Sequence, residues 1–220
     1  LDSITAPGSN EILVETLVTA ISPGTELAAW SGVEPLRPVA QIYPRLMGYC
    51  NVGRIIHLGA NVNGFALNDL VLTHSAHRSH ALISSAQVLC KVPQEADLAQ
   101  VATTYLFHLG YSACLKAGVT MGHRVAVIGL GTLGLTASAL AHLAGAQVTG
   151  FSNHFYGDID PVLWGMSGTS GKTNPDSVHL NYFDCVISTT NSWPDWKLAL
   201  QLSRRGGTVV TIGFPGRGQK

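Results

Sequence analysis

Val125-Ala126-Val127-Ile128-Gly129-Leu130-Gly131-Thr132-Leu133-Gly134 joins an apolar run to a glycine-rich turn. The four apolar residues suit a strand buried on both faces. Gly129, Gly131 and Gly134 have the spacing G-x-G-x-x-G, and the Ala/Leu-rich stretch from Leu135 to Ala144 has high helix propensity. Gln147 to Phe151 is a second short β-like run. Strand, glycine turn, helix and strand together predict a dinucleotide site. Gly129 allows the tight turn, Gly131 lets a pyrophosphate approach the backbone, and Gly134 lets the helix pack close to the strand. The helix N-terminus would then present free N–H groups and a positive dipole end to the phosphates, with Thr132 and Leu133 of the turn also read as cofactor-binding residues. Two plainer readings compete. One is a turn with no ligand. The other is a membrane span, since Val125 to Phe151 contains no Asp, Glu, Lys or Arg. Five glycines, His142 and Gln147 interrupt the stretch and argue against a span.

The 220 residues suffice for one large or two small domains. Hydrophobic residues make up 46% and charged residues 12%, which predicts a large buried fraction rather than disorder. A formal net charge of zero gives no electrostatic case for nucleic acid or an anionic membrane. No basic segment followed by a short apolar one opens the sequence, so no signal peptide is read. Cys50, Cys90, Cys114 and Cys185 stand singly without a C-x-x-C, which favours reduced thiols in a cytoplasmic protein over disulfides or a four-cysteine zinc lobe.

Glu11 to Ala20, Val52 to Leu58, Asp69 to Thr73, Ala81 to Ser84 and Val88 to Val92 read as short strands, hence a small β barrel or sandwich. Ser22-Pro23-Gly24-Thr25-Glu26 reads as a turn, followed by one helical turn over Leu27 to Trp30. Pro35, Pro38 and Pro44 forbid long regular structure before Met47. Gln94 to Lys116 has helical composition, broken by Gly110. A β-rich module is therefore expected over 1–97 and an α/β module over 98–220. Ser152 to Asn174 gives no confident element, Ser177 to Leu180 could be a third strand of the α/β module, and Asp184 to Ser188 is a fourth. Trp196 to Leu202 reads as a helix closed by Gly206 and Gly207, and Thr208 to Gly213 as a fifth strand.

This order resembles the medium-chain dehydrogenase/reductase superfamily, the zinc-type alcohol dehydrogenase-like proteins. The matching stretches are Glu11-Ile12-Leu13-Val14, Gly48-Tyr49-Cys50-Asn51-Val52-Gly53, Asn68-Asp69-Leu70-Val71-Leu72, Gly118 to Gly134, and Arg205-Gly206-Gly207-Thr208-Val209-Val210. Ser22 to Glu26 resembles the bacteriochlorophyllide dehydrogenase-like branch. The resemblance implies an α/β fold: a GroES-like barrel followed by a Rossmann doubly wound parallel sheet, with the last Rossmann strands of the family missing. It implies a homodimer as a common assembly, although the strands the family uses for pairing are not evident here.

In the family the catalytic zinc is held by a Cys, a His and a third Cys or Asp. Those positions fall near Pro23, at Tyr49, and near Thr103 or Thr104, with Cys50 where the family has glutamate. Cys50 alone cannot supply a tetrahedral set, so no metal is expected. Thr25 matches the position whose hydroxyl relays a proton beside the nicotinamide; a capping turn residue is an equal reading. Tyr49 is either a general acid or a ring filling the metal's space. His108 reads as a polar packing residue. His74, His77 and His80 link two expected strands without an accompanying acid, and are not read as a metal site. Ser167 to Thr173 imitates a phosphate loop, yet Met166 stands where its first glycine belongs and no buried strand is evident before it.

The second β-run of the nucleotide module ends Gly150-Phe151-Ser152-Asn153-His154, without the acid that holds the ribose hydroxyls of NAD. Ser152 and Asn153 lean toward NADP, with NAD still open and with no nearby Arg or Lys. Thr189 and Thr190 fall where the family lines the cofactor groove, and Gly213 and Phe214 near its nicotinamide end. The expected function is zinc-independent hydride transfer from NAD(P)H to a carbonyl or activated C=C of a small apolar substrate between the modules, in a biosynthetic role. Alternatives are oxidation of a secondary alcohol, or nucleotide binding without turnover as a sensor or structural relative.

Overall fold

The computed structural model describes residues 6–32, 45–154, 160–173 and 175–213. The chain divides into two units, Leu1–Tyr105 and Leu106–Lys220. The division falls eight residues beyond Asp97, because the helix that follows Asp97 packs on strands of the first unit.

In the first unit, β1 (Glu11–Thr19), β2 (Asn51–Leu58), β3 (Leu70–Thr73), β4 (His80–Ser84) and β5 (Val88–Val92) form one sheet in the order β4-β1-β2-β3-β5. Every pairing is antiparallel. Ile12, Val14, Ile55 and Val71 make one apolar cluster. Val52, Leu70, Leu72 and Val92 make another, closed by Ala102. Alternate residues of one strand thus feed different clusters, as the period of two requires. Gly53 lies opposite Thr16, where a Cβ would sit 2.3 Å from Val14 Cγ1, so β1 and β2 approach as only glycine permits.

Two expectations about helices are corrected. Helix α1 spans Pro23–Trp30 rather than beginning at Leu27. Proline at the first helical position has the required φ, and the Ser22 N–H donates to Glu26 Oε1 at 2.8 Å. The stretch 94–116 forms α2 (Leu98–Ala102) and α3 (Thr104–Ala117), divided at Thr103 and not at Gly110. Asp97 Oδ1 accepts the N–H groups of Ala99 and Gln100 and so sets the start of α2. Gly110 lies buried within α3. The proline-rich stretch before Met47 lies outside the described residues.

In the second unit, β6 (Arg124–Ile128), β7 (Gln147–Phe151), β8 (Met166–Ser170), β9 (Phe183–Ser188) and β10 (Ser203–Thr211) form a parallel sheet in the order β10-β9-β6-β7-β8. This is the doubly wound order, with β6 at the centre. Val125 to Ile128 are fully buried. Val125 and Val127 join the cluster that includes Leu135, Ala137 and Ala141 of α4 (Thr132–Leu143). Ala126 and Ile128 join Leu198, Ala199 and Leu202 of α5 (Trp193–Leu202). Both faces of β6 are therefore covered, as its uninterrupted apolar run predicts. A Cβ at Gly110 would meet Thr136 Oγ1 at 2.7 Å and Ala137 N at 2.9 Å, so α3 and α4 pack almost backbone to backbone.

The third strand of this sheet is Met166–Ser170, whereas Ser177–His179 forms a 3-10 turn. Only Met166 of β8 is buried; as an edge strand it carries no apolar run. A 3-10 turn over Pro161–Trp164 precedes it where a βαβ unit would place a helix. Gly206 and Gly207 do not cap α5, which ends at an extended Ser203. They lie within β10, where the pairing with β9 shifts between Ser203 and Thr208.

Candidate functional site

Where β6 meets α4 the three glycines hold three different environments. Gly129 has φ +89°, and its N–H donates to Phe151 O at 2.9 Å. A Cβ on Gly134 would overlap the carbonyl oxygen of Gly129, so any side chain there is excluded. A Cβ on Gly131 would meet nothing within 4 Å. Gly131 is also the N-cap of α4, and no side chain caps that end. The exposed Gly131 and Thr132, with the half-buried Leu133, thus form an open helix N-terminus at the carboxyl end of the central strand. Open space over Gly131 and the uncapped first turn fit a diphosphate, so the cradle fits a dinucleotide. The Thr189 hydroxyl donates to Gly129 O at 3.0 Å and lies 3.2 Å from Ile128 O. Thr189 therefore holds the turn itself. Gly213 packs against Thr190: a Cβ there would lie 2.1 Å from Thr190 O. Phe214 lies outside the described residues.

At the end of β7 the Ser152 N–H donates to Ser170 O at 3.0 Å, extending the pairing with β8. The Ser152 hydroxyl donates to His154 O at 2.6 Å and accepts from His154 N at 3.1 Å, which closes a local turn. Asn153 is exposed. Its Oδ1 accepts the Lys172 N–H at 2.8 Å and its Nδ2 donates to Thr173 Oγ1 at 3.0 Å. Lys172 Nζ lies 2.8 Å from Asp195 Oδ2. The sequence expectation of no lysine near Ser152 and Asn153 is thus corrected. The Ser-Gly-Lys-Thr stretch follows a strand that carried no hydrophobic signal, and the parallel sheet brings it beside the end of β7. With no acid in Ser152-Asn153-His154, the carboxylate at this corner is that of Asp195, held on the Lys172 ammonium group.

In the first unit, Thr25 is an exposed residue of α1. The Tyr49 ring meets the Tyr105 ring edge-on at 5.3 Å, and His74 meets Tyr105 at 4.8 Å. His74 Nδ1 lies 3.1 Å from Tyr49 O. His77 is brought in by its N–H, which donates to Met47 O at 2.7 Å. Its Nε2 lies 2.9 Å from Glu26 Oε2. Sequence reasoning passed over this pair, because 51 residues separate the partners. His108 is exposed on α3 of the second unit.

The family resemblance makes a metal at this place the natural question, and the donor set does not fit one. Glu26 Oε1 accepts from Ser22 N and Oε2 meets His77 Nε2, so both oxygens are engaged. Burial, reinforced by the Glu26 carboxylate, pushes the Cys50 thiol up to about 11. Among the described residues, no three His, Cys, Asp or Glu side chains group as metal ligands. His74, His77 and His80 diverge: to Tyr49 O, to Glu26 and to Ser79.

No protein-family model matches the chain. It is 27% identical to L-galactonate-5-dehydrogenase of Escherichia coli K12, over 96% of this chain and 71% of that protein. It is 27% identical to 2-desacetyl-2-hydroxyethyl bacteriochlorophyllide A dehydrogenase of Rhodobacter capsulatus, over 66% of this chain and 48% of that protein. Across the first relatives it matches, the chain spans from 31% to 71% of their lengths. The fold superposes with a TM-score of 0.81 and 22% identity on a Sinorhizobium meliloti protein described as a zinc-binding dehydrogenase, bound to NADP, over 99% of this chain and 73% of that one. The antiparallel first unit and the parallel second unit are accordingly the GroES-like and Rossmann folds. With a doubly wound sheet and an open glycine cradle following a GroES-like unit in sequence, the chain is similar to zinc-type alcohol dehydrogenase-like members of the medium-chain dehydrogenase/reductase superfamily.

Proposed function

We propose that the chain is an NADP-dependent oxidoreductase that transfers hydride to a carbonyl or activated C=C of a small, largely apolar molecule, without a catalytic zinc. The open space over Gly131 at the uncapped start of α4 carries this reading. The bound cofactor would supply the hydride. Gly131, Thr132 and Leu133 would hold the diphosphate with backbone N–H groups and the positive end of α4. Gly129, fixed through Thr189, would keep that backbone in place before the ligand arrives. The acid-free end of β7 favours NADP, as does the NADP-bound solved relative.

Thr25 and Tyr49 are the proposed proton-handling groups. The phenol of Tyr49 would donate to the oxygen or carbanion that receives hydride. Zinc independence is supported by the donor chemistry at Pro23, Tyr49 and Cys50 and by the engagement of Glu26. The four free cysteines suit a cytoplasmic setting. Among the described residues no helix is long and apolar enough to cross a membrane. The same site run in reverse would oxidise a secondary alcohol, a reading favoured by the names of the two dehydrogenase relatives.

The test is a fluorescence titration with NADPH beside an absorbance assay of NADPH oxidation against a panel of aldehydes, ketones and enones. Saturable binding with turnover insensitive to chelators is expected. Binding without turnover on any substrate would select the non-catalytic alternative, and no binding would end the proposal.

A further inference from the structure

We propose that Lys172, carried on the loop after β8, is the cation that recognises the 2′-phosphate of NADP and sets the preference for NADP over NAD; this rests on the reading of the glycine cradle as a dinucleotide site. The β7–β8 pairing Phe151↔Ser170 continues through the Ser152 N–H to Ser170 O bond, so residues 170–173 run beside residues 152–153. Asn153 then clamps the loop with both ends of its amide, one on Lys172 N and one on Thr173 Oγ1. These bonds fix the root of the Lys172 side chain at the corner where the ribose of a bound dinucleotide is read in doubly wound folds.

The Lys172 side chain is largely withdrawn from water, at 21% exposure, and its partner Asp195 at 7%. Asp195 lies in the first turn of α5, after β9. In the sheet, β9 and β8 are separated by β6 and β7. The Lys172–Asp195 pair therefore links the loop after β8 to the first turn of α5, from either side of β6 and β7. One of the three ammonium protons is spent on Asp195 in this state. The other two, with the Asn153 amide and the Thr173 hydroxyl, are donors suited to a phosphate dianion. The absence of an acid at Ser152, Asn153 and His154 removes the repulsion that would otherwise exclude it. Asp195 is the resting counter-ion, so it competes with the phosphate for the same ammonium group.

The competition makes the test two-sided. Dissociation constants for NADPH and NADH are measured by fluorescence titration, and displacement by 2′,5′-ADP is measured separately, for the wild-type chain, Lys172→Gln, Lys172→Arg and Asp195→Asn. Lys172→Gln is expected to weaken NADPH and 2′,5′-ADP by about tenfold or more while NADH changes less than about twofold. Lys172→Arg should keep most of the preference, and Asp195→Asn should tighten NADPH. Raising the salt should erode the preference in the wild-type chain but not in Lys172→Gln. Thermal melts of each variant separate a folding defect from a binding one. A wild-type chain that binds NADPH no better than NADH would overturn the inference. So would a preference surviving in Lys172→Gln, or equal loss of both nucleotides in that variant with its fold intact. A wild-type chain that binds neither nucleotide would instead overturn the reading of the cradle on which the inference rests.

Discussion

The imidazole of His77 lies over the α-carbon of Gly48 while its Nε2 meets Glu26 Oε2 at 2.9 Å. A Cβ built on Gly48 would fall 2.3 Å from Nε2, 2.4 Å from Cδ2 and 2.5 Å from Cε1. Gly48 also has φ +86°, where a side chain is strained. The pair joins α1 to the loop before β4, and the glycine beneath it belongs to the segment that leads into β2. Gly48→Ala should displace the ring and cost about 2–4 kcal/mol, a fall of roughly 2–4 °C in Tm for each kcal/mol. Thermal denaturation checks this; a variant melting within a degree of the wild-type chain would show that the ring does not depend on the bare backbone.

The glycines of the cradle should separate stability from binding. Gly134→Ala drives a methyl into the Gly129 carbonyl and should destabilise by at least about 3 kcal/mol. Gly131→Val meets open space, and Gly131 has φ −80° and ψ −171°, which valine adopts readily. Its stability should stay within about 0.5 kcal/mol while NADPH affinity falls by at least about tenfold. Melting curves and fluorescence titrations of the two variants check both halves. Equal instability in both would contradict the assignment.

The cysteines should react in a fixed order. Cys50 and Cys114 are each pushed up to about 11, chiefly by burial, with Glu26 adding to the first and Cys185 to the second. Cys185 is also raised, by burial and then by Asp184. Cys90 is exposed. At pH 8 one thiol, Cys90, should be modified quickly by an aromatic disulfide reagent, and the other three only on unfolding. A fast second equivalent in the native protein would contradict this.

Asp184 predicts an acid limit for the nucleotide unit. Its carboxylate accepts Arg124 N at 2.8 Å, Arg124 Nε at 3.1 Å and Arg204 Nε at 2.6 Å, tying the start of β6 to β9 and β10. The Arg124 hydrogen bonds, then the Arg204 bond, hold its pKa well below the usual carboxylate range. A depressed folded value means that its stabilisation is fully present above about pH 5 and is lost as pH falls toward the folded value. Asp184→Asn should lower stability at pH 7 by about 1 kcal/mol, discounted for solvent around the arginines. The difference from the wild-type chain should shrink below pH 4. A difference constant across the acid range, measured by denaturant titration at each pH, would contradict the assignment.

The centre of the fold was legible because its signals are local. Val125 to Ile128 is buried on both faces, and the spacing of Gly129, Gly131 and Gly134 encodes two close backbone approaches and one open position within one turn. Strand β8 was hidden because an edge strand with one buried residue shows no periodicity. With it went the loop carrying Lys172, which only the parallel register brings beside Asn153. Glu26 and His77 were hidden for a related reason: the spacing of the three histidines invited a local reading, while the actual partner lies in α1. Gly110 and Gly206 read as breaks because glycine usually is one; instead one admits α4 against α3 and the other lies within β10.

Backbone amide shifts on titration with NADPH report whether a diphosphate rests on the bare backbone at the mouth of β6. The largest saturable changes are expected at Gly131, Thr132 and Leu133, with smaller ones at Asn153 and Lys172. Saturable changes elsewhere that leave those three amides unmoved would contradict that placement.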